Sequence, residues 1–88
     1  MEFRWNEWNV GHLAKHGVEP EEAEYVVERA RSPYPRKEDE GKYRMRGRTE
    51  EGQWLQVIYI FSPEYVAHVI HARPLTDREK KQERRHRR

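Results

Sequence analysis

Gln53-Trp54-Leu55-Gln56-Val57-Ile58-Tyr59-Ile60-Phe61 is the stretch on which the fold turns. It is rich in β-branched and aromatic residues and apolar on both sides of an extended chain, so it reads as a central strand. Upstream, residues 42 to 48 alternate. Tyr43, Met45 and Gly47 take one face, and Lys42, Arg44, Arg46 and Arg48 take the other. Thr49-Glu50-Glu51-Gly52 between these runs is a hairpin loop. Downstream, Ser62-Pro63-Glu64 is a second turn and residues 65 to 72 form a third strand. Its parity puts Tyr65, Ala67, Val69 and His71 on one face and Val66, His68 and Ile70 on the other.

Further out the period changes. Phe3 to Trp5 reads as a short first strand. Asn6 is a good cap for a helix from Glu7 to about His16, with Gly17 at the position that favours a left-handed residue. Glu19-Pro20-Glu21-Glu22 opens a second helix, since proline suits its first position and acids suit its positive end. Ala23, Val26, Val27 and Ala30 form its apolar face, and it is expected to stop near Arg31. Residues 31 to 42, with two prolines and a run of charges, read as a loop. Thr76-Asp77-Arg78-Glu79 has the form of a capping box and opens a last helix. That helix carries almost no apolar residue, so it is expected to fray or to bind something acidic. The predicted class is a small α+β domain: two N-terminal helices on an antiparallel sheet of three to four strands, plus a C-terminal helix. Residues 1–77 form the domain and 78–88 a basic helix or tail.

The 88 residues suit one domain. Hydrophobic residues make up 34% against 39% charged, with mean hydropathy −1.33, which leaves a thin core. A partner or a second copy of the chain is therefore expected to add stability. The longest apolar run is too short for a membrane span, and the N-terminus has no signal-peptide pattern, so the expectation is a cytoplasmic protein with no membrane partner. Cysteine is absent, which excludes disulfides and thiol chemistry. Charge is uneven: residues 78–88 hold seven cations against two acids, and the other 77 residues hold eleven against fourteen. Thirteen of the cations are arginine, whose fork suits phosphate and carboxylate, so a polyanionic partner is expected; the plainer reading is a solvated, frayed helix end.

Three groupings carry chemistry. Lys15 and His16 sit at the end of the first helix. There His16 would act in proton transfer or contact phosphate; the plainer reading has it capping helix carbonyls. His71 and Arg73 are two apart on the last strand, where they would move a proton and neutralise a phosphate; the plainer reading pairs Arg73 with a helix acid. Arg44, Arg46 and Arg48 make a phosphate platform if their face is open, or else a charged edge strand. His12 and His16 have a ligand spacing, but Leu13 stands where the zinc motif needs glutamate. His68 and His71 are expected on opposite faces. No metal and no cofactor is expected.

Taken together these pieces resemble the BrnT family of toxins from type II toxin–antitoxin systems, relatives of the RelE-like fold. The matching residues are Phe3-x-Trp5-Asn6, Leu13-x-Lys15-His16-Gly17-Val18, Glu21-Glu22-Ala23, Gly47-x-Thr49-x-x-Gly52, Ile70-x-Ala72-Arg73 and Thr76-x-x-Glu79. The resemblance implies an RNA-cleaving toxin that arrests translation and is silenced by a ribbon–helix–helix antitoxin. It carries functional weight to Lys15, His16, Arg73 and Glu79. Asn6, His12, His71 and Glu83 depart from the usual pattern.

Two functions are therefore expected in competition. The first is a metal-independent endoribonuclease, with His16, His71 and Arg73 catalytic. Lys15, Arg46, Arg48, Tyr59, Glu79, Arg84 and Arg85 would bind RNA, free or on the ribosome, with Tyr59 orienting a nucleotide. The second is a non-catalytic RNA- or protein-binding module that keeps the fold.

Overall fold

The computed structural model describes residues 1–86, the side chain of His86 excepted. It is an α+β fold with three helices and a four-stranded antiparallel sheet in the order β1-β2-β3-β4. The elements are α1 (Glu7–Ala14), α2 (Pro20–Glu28), β1 (Arg36–Lys37), β2 (Tyr43–Arg48), β3 (Trp54–Phe61), β4 (Ala67–Pro74) and α3 (Asp77–His86). Arg87 and Arg88 of the basic tail lie outside the described residues.

Local chemistry explains the helix ends. Asn6 and Asn9 cap each other, each accepting from the other's backbone N–H, at 3.0 and 2.7 Å. At the far end Val18 N–H donates to the Leu13 carbonyl at 3.2 Å, a closure that needs Gly17 at φ 70°. Glu22 closes the start of α2 on the Glu19 N–H at 2.9 Å. The core lies between α1, α2 and one sheet face: Leu13, Ala23, Val26 and Val27 meet Met45, Leu55, Val57, Tyr59 and Val69. Trp5 ties the N-terminal segment to α2 by donating from its indole to Glu24 at 2.6 Å.

Four expectations are corrected. The first strand reduces to a single parallel bridge between Phe3 and Ala67. The long loop contains β1, paired to β2 through Arg36 opposite Arg44 and Lys37 opposite Tyr43; both β1 residues are exposed, so no apolar signal marks the strand. The helix α2 ends at Glu28, which leaves Ala30 exposed.

The fourth correction concerns β4. Its partners step from Ile58 opposite His71 to Tyr59 opposite Val69, so Ile70 is an extra residue and β4 is bulged. A bulge reverses the phase of alternation, so simple counting fails beyond it. Val69 and Ala72 both face the core, while His68, opposite Ile60, and His71, opposite Ile58, share the outer face. Arg73 follows on that face, opposite Gln56.

The helix α3 does not fray from the sheet. It lies over the outer-face row of Arg46, Gln56 and Arg73 and is held by its acids. Glu83 is 0% exposed despite its charge. Among the described residues, no helix is long and apolar enough to cross a membrane.

Candidate functional site

Three imidazoles from two elements meet at the outer side of β4. Trp8 and His12 are four apart on α1, and His16 follows in the turn after it, where its N–H donates to the Leu13 carbonyl at 2.9 Å; α1 packs against β4 with Leu13 turned into the core. The bulge turns His71 towards these rings. The ring centroids of His16 and His71 are 5.4 Å apart, those of His12 and His71 6.0 Å, and those of His12 and His16 6.4 Å. Trp8 stacks on His12 at 5.2 Å with its plane 5° away, and is itself 64% exposed. The cluster thus has a packed side, through His71, and an open side, through His16 and Trp8.

Electrostatics distinguish His71 from an ordinary histidine. Burial first, then the neighbouring His16, Arg73 and His12, hold its imidazole below the ordinary 6.5. His71 therefore stays neutral at pH 7 and is available to accept a proton. Among the described residues no group of three or more His, Asp or Glu is disposed to hold a metal ion.

Arg73 stands two residues from His71, but both ends of its fork are engaged. Its terminal nitrogens donate to the two oxygens of Glu79 at 2.8 Å each, and one also donates to the Pro74 carbonyl at 3.1 Å. Arg46 is 8% exposed and likewise enclosed. It donates to Gln56 at 3.0 Å, Gln82 at 3.1 Å, Glu79 at 3.2 Å and Glu83 at 3.4 Å. The two guanidinium groups and two carboxylates form one neutral, hydrogen-bonded network under α3. The Arg73 fork beside Glu79 pulls that carboxyl down to about 2, and the Thr76 backbone N–H and Arg46 act in the same direction.

The other anticipated residues are dispersed. Lys15 is exposed beside His16. Tyr59 is 2% exposed, stacked on Tyr43 at 5.5 Å in the core, so it cannot orient a nucleotide from the surface. The reason is parity: Tyr59 pairs with inward-facing Val69. Arg48 is exposed, with its guanidinium 4.9 Å over the Trp54 ring. Arg44 pairs with Glu38 at 3.2 Å, so the three arginines of β2 do not form one open platform. Arg84 and Arg85 are exposed on α3.

Sequence reasoning passed over His12 and Trp8 as partners of the site. The signal was present in the spacing of 8 and 12, which puts two rings on one face of α1 just ahead of His16. It also passed over Tyr34 and Glu83, which no periodic pattern links. No family model, curated protein or solved structure was found to match the chain.

Proposed function

We propose that the chain is a small metal-independent endoribonuclease. The observation that carries the reading is the approach of His16 to His71 across two elements, with His71 held neutral. RNA cleavage by its own 2′-OH needs a base for that hydroxyl and an acid for the departing 5′-oxygen. His71 takes the 2′-OH proton as the 2′-oxygen bonds to phosphorus. His16, on the open side, delivers a proton to the 5′-oxygen as the phosphorus–oxygen bond breaks. The products are a 2′,3′-cyclic phosphate and a 5′-hydroxyl. Lys15 supplies positive charge near the phosphate, and Trp8 on His12 offers an exposed ring on which a base can stack.

The motifs shared with BrnT toxins support a RelE-like fold, translation arrest in the cytoplasm and neutralisation by a ribbon–helix–helix antitoxin as parts of the same proposal. The test is a cell-free translation reaction with labelled messenger RNA, resolved on a denaturing gel. Discrete cleavage by the wild type, absent from the His16→Ala, His71→Ala variant, is the expected result. Intact RNA with the folded wild type overturns the nuclease.

One observation favours the second reading, a binding module without catalysis. Arg46 and Arg73, the arginines best placed by sequence to neutralise a scissile phosphate, are bound to Glu79 and Glu83. On that reading RNA binds in a salt-dependent way and is not cut.

A further inference from the structure

A cleft of about 430 Å³ lies at the end of the β2–β3 hairpin, where α2 reaches the sheet. It is lined by Tyr25, Arg29, Arg31, Arg48, Thr49 and Trp54, with no carboxylate in its wall. The approach of α2 depends on Gly47: a Cβ there would come within 3.3 Å of a Val26 methyl. None of the three arginines has an ion-pair partner among the described residues, in contrast to Arg44, Arg46 and Arg73.

Two of the guanidinium groups are pre-positioned on rings. Arg29 Cζ sits 3.7 Å above the Tyr25 ring centroid and Arg48 Cζ 4.9 Å above that of Trp54. A guanidinium resting on a ring has lost much of its freedom, yet keeps its N–H edge for an anion. Its plane also offers a surface for a nucleobase.

We infer that this cleft holds one nucleotide unit of a single-stranded RNA, with its phosphodiester on Arg31 and Arg48 and its base against the Arg29–Tyr25 stack. The inference rests on the RNA reading proposed above, but on binding rather than cleavage. An acidic peptide would satisfy the forks and leave the ring-mounted guanidinium face unused. Trp54 and the His71 partner Ile58 are four residues apart on β3, about 13 Å along the strand. A strand held in the cleft would therefore reach the histidines within a few nucleotides.

The test is equilibrium binding of a short labelled single-stranded RNA to the full chain, followed by fluorescence anisotropy over a salt series. All proteins carry His16→Ala so that the RNA stays intact. Replacing Arg29→Gln and Arg48→Gln together is expected to weaken binding about tenfold and to flatten the salt dependence by about one unit of slope. The same loss of charge at Lys37→Gln and Lys42→Gln is expected to leave binding within about twofold. Equal weakening by both pairs, no weakening by the arginine pair, or displacement of RNA as effectively by poly-glutamate as by unlabelled RNA overturns the cleft. Cleavage is read separately with His16 intact. Binding through the cleft without cleavage removes the nuclease and leaves the cleft; cleavage with unchanged binding of the arginine variant removes the cleft alone.

Discussion

Tyr34 and Glu83 are 49 positions apart in sequence and joined by a 2.6 Å hydrogen bond from the phenol to a fully buried carboxylate oxygen. Burial, and then that bond, push the Tyr34 hydroxyl up to about 12. The same Glu83 oxygen accepts from Arg46, so one carboxylate connects the loop before β1, the strand β2 and the helix α3. Removing one member of such a buried set leaves the others charged or unpaired, which costs more than the interaction itself contributed.

Glu83→Ala is accordingly expected to destabilise the fold by about 3–5 kcal/mol. Tyr34→Phe, which takes away one charge-assisted bond, is expected to cost about 1–3 kcal/mol. Urea unfolding followed by tryptophan fluorescence measures both. The raised pKa of Tyr34 also fixes a sign. Its contribution is complete below the ordinary value of 10 and is lost as pH rises through about 12. Tyr34→Phe should abolish that part of the alkaline loss; an unchanged alkaline profile would show that the bond contributes nothing.

Glu79 supplies the acid-side counterpart. Its carboxyl, held near 2 by Arg73 and assisted by the Thr76 N–H, stabilises the fold above the ordinary 4.5, and this is lost as pH falls through about 2. Glu79→Gln should flatten the stability profile between those values. Thr76 accepts the Glu79 N–H at 3.2 Å and receives the reciprocal cap at 2.9 Å. Thr76→Ala should therefore cost about 1 kcal/mol without changing that pH profile. Far-ultraviolet dichroism against pH separates the two.

Under the nuclease proposal, His16→Ala or His71→Ala lowers the cleavage rate by about 10²–10⁴-fold. Because the His71 pKa is depressed, the acid limb of the bell-shaped pH–rate profile that an acid–base pair gives should be centred below the ordinary 6.5. An acid limb centred at or above 6.5 in a pH–rate profile would remove His71 as the base.

Tyr65 is 81% exposed and has φ 64°, a left-handed conformation that a bulky residue adopts at a cost. Tyr65→Asn should stabilise the fold by about 0.5–1 kcal/mol, since asparagine accepts that backbone more readily. A thermal midpoint unchanged or lowered would mean that the tyrosine ring contributes packing that outweighs the strain.

The parts of this structure legible in the sequence are those written in apolar periodicity and caps. β3 was legible to within one residue, beginning at Trp54 and not Gln53, because an apolar-rich run between two turns leaves little choice. Asn6 and Thr76 mark helix starts because their side chains satisfy free N–H groups. What stayed hidden lies where charge replaces grease. The pairing of Arg73 with an acid of α3 was within reach of the sequence, but the burial of Glu83 depends on Arg46 and Tyr34, each more than thirty residues away, so that part of the seat looks in sequence like a solvated helix face. The site was half legible. His16 and His71 were individually apparent, but their approach requires the Ile70 bulge, which depends on pairing with β3 and has no signature within β4 itself.

The margins of the sheet bear on how copies of this chain meet. On one side the outermost strand is two residues long, and both are cations. A neighbour adding there by the same edge would place arginine and lysine against their own kind. On the other side the Ala67 N–H and carbonyl are already taken by Glu2 and Arg4, and α1 packs along the same strand. Open-ended growth of the sheet from molecule to molecule is opposed at both margins. A thin-cored chain can thus carry the highly apolar β3 in its middle without offering it as a template for fibres.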